Sequence, residues 1–190
     1  MHLLALLLTI TPALAGPAIE GNPQSLVRVV IFEDLQCSDC AKFRVMLDST
    51  LLTKYGKQAA FEHRDFPLAQ HTWSRGAAIA ARYFDAQNPK LGVEFRRQAL
   101  ANLETIQAEE LASWVAAFAR QYGVDPVRAV EALHNPTLAA MVEKDFAEGV
   151  ARGIVKTPTV FVDGEPFVEA FTVEAIAGAI ETAIKLKQKH

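Results

Sequence analysis

This sequence is short of several things that would each point to a function. It has only two cysteines, Cys37 and Cys40, in 190 residues, so any internal disulfide must close between them. It has no surplus of positive charge. The formal net charge is −3, and nothing basic is concentrated enough to suggest nucleic acid or anionic lipid. Lys185, Lys187 and Lys189 sit near the C-terminus, where cations complement a helix dipole. It has no apolar run of the roughly 20 residues that cross a bilayer. It has no G-x-S-x-G elbow and no Walker loop. His63-Arg64-Asp65 looks like part of a kinase catalytic loop, but the remaining kinase signatures are missing.

What is present begins with an export signal. Residues 3–10 are apolar, Pro12 follows, and Ala13-Leu14-Ala15 has the small-x-small form of a cleavage site. No Lys or Arg precedes Arg28, so the α-amino group and His2 supply the positive end. A signal peptide over residues 1–15, cleaved after Ala15, is therefore expected, and with it a periplasmic or secreted location. Residues 16–25 contain Gly16, Pro17, Gly21, Asn22 and Pro23 and read as a flexible lead-in. The chain is 51% hydrophobic, enough for one well-buried core, and its length suits one domain with an insertion better than two domains.

The apolar pattern then orders the elements. Residues 26–32 are apolar and β-branched, the pattern of a buried central strand. Residues 33–36 turn the chain. From Cys37 to about Tyr55 the period is helical, with Cys40, Phe43, Leu47 and Leu51 on one side and Gly56 as a C-terminal cap. Residues 59–66 form the next strand, ended by Pro67; strand–helix–strand with one crossover implies parallel pairing. From about 73 to 152 the composition turns Ala-rich and helical, with segments near 74–86, 91–103 and 108–122. Asp125-Pro126 and Asn135-Pro136 each pair an N-cap residue with proline at the first helical position, and Gly153 closes the last helix. The β pattern resumes at 159–162 and 167–168 around an Asp163-Gly164 turn, and Thr172 caps a final helix through about 186. The expected order is β-α-β, a helical insertion over 73–152, then β-β-α, with 26–72 and 153–187 as one folding unit. Trp73 and Trp114 read as core residues of the insertion, and His71 as an exposed loop residue.

The cysteine pair admits three readings. A bridge across two intervening residues restrains the unfolded chain little, so a purely structural disulfide has small value. With His63 and His71 the pair allows a copper or zinc carrier, although no second motif such as H-x-x-x-H completes a metal site. The third reading is a redox-active dithiol.

Three segments decide among them: residues 29–40, Val29-Val30-Ile31-Phe32-Glu33-Asp34-Leu35-Gln36-Cys37-Ser38-Asp39-Cys40; residues 64–68, Arg64-Asp65-Phe66-Pro67-Leu68; and residues 156–164, Lys156-Thr157-Pro158-Thr159-Val160-Phe161-Val162-Asp163-Gly164. In this order and over residues 26–186 the chain resembles the DsbA-like branch of the thioredoxin superfamily. That resemblance implies an α/β thioredoxin fold with an all-helical insertion. It also implies an exported thiol–disulfide oxidoreductase that needs no cofactor beyond a Cys37–Cys40 redox disulfide. Its partners would be cysteine-containing exported proteins and a redox recycling partner, in solution or membrane-bound; no nucleic acid is involved and a monomer is expected. Cys37, at a helix N-terminus, is the expected exposed nucleophile and Cys40 the shielded resolving thiol. Pro158 is expected to be cis, with Thr157 beside the sulfurs.

Two departures from the family concern tuning. Strong oxidases of this family usually carry His where Asp39 stands, and an anion there disfavours the Cys37 thiolate. With Ser38 and Asp39 between the cysteines, the chain is expected to lie nearer thioredoxin, whose cysteine pKa is about 7, than DsbA, at about 3.5. It is then a weaker oxidant than DsbA. Many relatives also carry a buried acid where this chain has Ile31; Glu33, two residues on and so on the same strand face, is the candidate substitute.

Overall fold

The computed structural model describes residues 16–168 and 172–189. The expected signal peptide lies outside the described residues. A five-stranded sheet of order β1-β3-β2-β4-β5 forms the frame. It contains β1 (Ala18–Gly21), β2 (Arg28–Glu33), β3 (Ala60–Asp65), β4 (Thr159–Val162) and β5 (Glu165–Val168). β2 and β3 run parallel, as a single helical crossover requires, and the other neighbours are antiparallel.

The crossover is α1 (Ser38–Met46), a π-helical turn (Leu47–Leu51) and α2 (Leu52–Tyr55). Its apolar side, Phe43, Leu47 and Leu51, is buried against Val29, Ile31 and Phe61, where Ile176 and Ile180 of α8 (Val173–Lys187) join it. Thr172 caps α8 by accepting from the Ala175 amide. The expected hairpin forms, with Asp163 at φ 48° and Gly164 at φ 98° supplying the left-handed turn.

Between β3 and β4 run α3 (Ser74–Gln87), α4 (Pro89–Ala101), α5 (Leu111–Gln121), α6 (Pro126–Glu131) and α7 (Pro136–Ala151). Asn88, Asp125 and Asn135 cap α4, α6 and α7 through their side chains, each with proline just inside the helix. α7 approaches the opposite sheet face closely at Gly149, where a Cβ would lie 2.6 Å from the Phe66 ring. The fold is a thioredoxin-type sheet carrying a helical insertion.

Residues 16–25 differ from the sequence expectation. Far from being a loose lead-in, they include β1, which pairs with β3 from Ala18 against His63 to Gly21 against Ala60. Four residues next to Pro17 and ended by Gly21 carry too little pattern to read as a strand, and an already formed β3 edge supplies the partner. β2 starts at Arg28 rather than two residues earlier, and Leu26 is 72% exposed.

Candidate active site

Cys37 is the N-cap residue of α1. The first turn of a helix leaves its amides without intrahelical partners, and here the Cys40 and Asp39 amides lie where they favour a negative sulfur at Cys37. The two thiols are unbonded. The Cys37 thiol is pulled down to about 6, first by the hydrogen bond from Cys40; burial opposes this, and Thr157 and those two amides reinforce it. Cys40 is the opposite case: burial, the neighbouring Cys37 sulfur and the Glu33 charge push its thiol well up, and the Asp34 amide works the other way.

The Thr157-Pro158 peptide is cis. Cys37 Sγ lies 3.4 Å from the Thr157 carbonyl, to which the thiol donates across 120 residues of sequence. In this dithiol state the buried Thr157 hydroxyl has no hydrogen-bond partner. Once Cys37 is ionised the carbonyl contact turns unfavourable, and the hydroxyl is the Thr157 group able to favour the charge.

Cys37 keeps 8% of its surface and Cys40 1%. The nucleophile is thus less open than the sequence suggested, and it belongs to the buried apolar cluster that includes Leu35 and Trp73. Asp39 and Ser38 are exposed, and Asp39 is paired with Lys42 at 2.8 Å.

Glu33 is buried on the strand behind the dithiol. Its Oε1 meets His63 Nδ1 at 2.9 Å, and His63 Nε2 meets Glu20 at 2.9 Å. Arg96 lies 3.6 Å from the same Glu33 oxygen. Burial opposes charge on both partners, yet the ion pairing prevails: Glu33 is held below the usual carboxylate range and His63 is raised to about 9. The network continues through Asp65, which takes Arg96 at 2.6 Å and Arg82, and Asp145, which takes Arg82 and Arg64.

Sequence reasoning missed most of this network. His63, Arg64 and Asp65 all belong to it, and His71 is hydrogen-bonded to Asp34 at 2.8 Å rather than free in a loop. A usable signal existed: Arg96 follows Phe95 and stands three residues after Val93 and four before Leu100, on the apolar stripe of α4. His63 and His71, considered as metal ligands with the cysteines, are each engaged by carboxylates instead. Among the described residues no group of three or more His, Cys, Asp and Glu is arranged to hold a metal ion. None of the described helices is long and apolar enough to cross a membrane.

Comparisons with known proteins agree with this fold. BdbD from Bacillus subtilis, in its oxidised form, superposes with a TM-score of 0.77 at 23% identity, covering 92% of this chain and 96% of that one. The α-DsbA1 of Wolbachia pipientis gives 0.78 at 14% identity, with 91% and 93% covered. The DsbA of Chlamydia trachomatis gives 0.76 at 17%, with 94% and 97% covered. A curated relative named as a Na(+)/H(+) antiporter, NhaA of Herminiimonas arsenicoxydans, is 26% identical over 171 residues, 87% of this chain. The chain spans about a quarter of that relative's length. A family profile described as thioredoxin matches residues 15–182, so a sheet, a dithiol at a helix start and a cis-proline loop meet here in a chain that belongs to the thioredoxin family.

Proposed function

We propose that this protein is an exported thiol–disulfide oxidoreductase that exchanges disulfides with cysteine-containing proteins through the Cys37-Ser38-Asp39-Cys40 dithiol. The observation that carries this reading is the asymmetry of the two sulfurs. Cys37 caps the N-terminus of α1 with its thiol drawn down to about 6, toward the thiolate at neutral pH, whereas Cys40 is buried one turn in with its thiol pushed up. The first is made to attack and the second to wait.

In reduction, the Cys37 thiolate attacks one sulfur of a substrate disulfide, and the other sulfur leaves as a thiolate. Cys40 then loses its proton and attacks Cys37, closing the internal disulfide and freeing the substrate. Oxidation of a substrate is the same path reversed. The Thr157 backbone lies beside Cys37 and in this reading pairs with an extended substrate segment as a strand would. Glu33 tunes Cys40 through its charge.

The Cys37 value stands nearer to thioredoxin, at about 7, than to DsbA, at about 3.5, which supports a weaker oxidant than DsbA. Export is supported by the apolar residues 3–10 and the Ala13-Leu14-Ala15 pattern. Recycling would require a separate redox partner.

A Cys40→Ser variant tests the reading. It should accumulate mixed disulfides between Cys37 and substrate proteins, and a further Cys37→Ser change should abolish them. Absence of adducts in Cys40→Ser, or exchange persisting in Cys37→Ser, would refute it.

A further inference from the structure

The turn between β2 and α1 holds two side chains that fasten it to the start of the insertion. Gln36 Oε1 accepts from the Trp73 amide at 2.8 Å and the Ser74 amide at 3.2 Å, supplying the cap that Trp73, the N-cap residue of α3, lacks. Asp34 is buried, and both of its oxygens are used. Oδ1 accepts from the Gln36 amide at 2.7 Å; Oδ2 accepts from the Leu68 amide at 2.6 Å and from His71 Nδ1 at 2.8 Å. Because the carboxylate is an acceptor there, His71 carries its proton on Nδ1. The peptide N–H of this same Asp34 donates to Cys40 Sγ at 3.4 Å.

We infer that Asp34 is a positioning residue for the step at Cys40: its clamped carboxylate fixes its own N–H on that sulfur, and the N–H stabilises the Cys40 thiolate. The inference rests on the exchange reaction proposed above. In the mixed disulfide Cys37 is bonded to substrate, so Cys40 must ionise to attack. Its surroundings are otherwise hostile to charge, being buried and close to Glu33. As Cys40 attacks, the Cys37–Cys40 bond forms, the Cys37–substrate bond breaks, and the substrate sulfur leaves as a thiolate. The proton lost by Cys40 is matched by one gained by the departing sulfur. The two electrons that the substrate gains are those that the dithiol gives up. In the reverse direction Cys40 is the leaving group and the same N–H receives its charge.

Cys37 does not share this donor, so the two chemical steps should separate. Reduced protein is mixed with oxidised glutathione, quenched with acid, and the Cys37–glutathione adduct is followed by mass from formation to decay. In Asp34→Ala the adduct should decay about tenfold more slowly, as expected for a displaced hydrogen bond to a charged sulfur. Adduct formation and the Cys37 pKa, read from thiolate absorbance, should stay close to wild type. His71→Ala, which removes one of the three anchors, should slow decay in the same direction by a smaller factor, and it decides the matter if Asp34→Ala does not fold. A folded variant with unchanged decay, or with formation and decay slowed equally, overturns the inference. If wild-type protein gains neither the adduct nor the Cys37–Cys40 disulfide, the exchange reading fails first and the inference falls with it.

Discussion

The insertion is held together in one way and held to the sheet in another. Its interior is aromatic: Phe84 stacks on Phe95 at 4.9 Å between ring centroids, Phe118 meets both, and Trp114 packs edge-on against Phe95 at 5.0 Å. Its seam with the sheet is ionic, and the same helices supply it. Arg82 lies two residues from Phe84 on α3, and Arg96 adjoins Phe95 on α4. Both reach Asp65 on β3, and Arg96 also approaches Glu33 behind the dithiol. Apolar packing accepts many similar arrangements, whereas buried charges need their partners in particular places. The difference teaches that the insertion's core provides cohesion, while the seam sets how the insertion meets the strands that carry the active site.

Breaking the seam and breaking the core should therefore cost alike in stability and differ in consequence. Arg96→Met takes one of the two buried arginines from Asp65 and leaves Arg82; loss of one partner of a buried pair costs about 3–5 kcal/mol, and the remaining cation puts this case at the low end. Phe84→Ala opens a cavity in the aromatic core at a similar cost of about 3–5 kcal/mol. Denaturant unfolding should give comparable losses for the two. In a Cys37→Ser background, thiolate absorbance should show a displaced Cys40 pKa in Arg96→Met, which alters the Glu33 charge beside that sulfur, and a preserved one in folded Phe84→Ala. A preserved value in both would remove the seam's link to the dithiol.

A milder probe is pH. His63 is raised from 6.5 to about 9 by the Glu33 and Glu20 carboxylates, against the cost of burial. A raised cation contributes stability that is complete below about pH 6.5 and is lost as the pH climbs through about 9. The Cys37 thiol, lowered to about 6, has the reverse dependence. Unfolding of a Cys37→Ser background should thus become easier between pH 6.5 and 9, and His63→Asn should flatten that slope. A flat profile before the second substitution would contradict the ionic seam.

The smallest expected effect is at Asp39, exposed and paired with Lys42. Asp39→His replaces an anion near Cys37 with a donor and should lower the Cys37 pKa by up to about one unit, read from thiolate absorbance. Unfolding should be unaffected. An unchanged or higher pKa would mean that Asp39 does not restrain the thiolate.

These contrasts also explain what was legible in the sequence. The cysteine spacing, the capped helices at Asp125 and Asn135, and the hairpin around Asp163-Gly164 are local signals, written in neighbouring residues. The meeting of Cys37 with Thr157 was legible through the resemblance, not from spacing. The seam was not legible. Its partners lie far apart in sequence, as Asp65 and Asp145 do, and a charged residue on an amphipathic helix ordinarily faces water. Arg82, Arg96 and His63 are buried because each finds carboxylates from other elements, Asp65 and Asp145 for Arg82, Asp65 for Arg96, Glu33 and Glu20 for His63, which no single helix or strand pattern records. β1 escaped for a related reason, since its strand character comes from the β3 edge beside it.

The most direct measurement is equilibration of the purified protein with glutathione or dithiothreitol buffers of graded potential, followed by fluorescence of Trp73, which shares an apolar cluster with the two cysteines. The expected result is one reversible two-electron transition between the dithiol and the Cys37–Cys40 disulfide, with a potential nearer to about −270 mV, as in thioredoxin, than to about −120 mV, as in DsbA. A potential at the DsbA value would contradict the weaker-oxidant assignment. The absence of any reversible transition would contradict dithiol exchange itself.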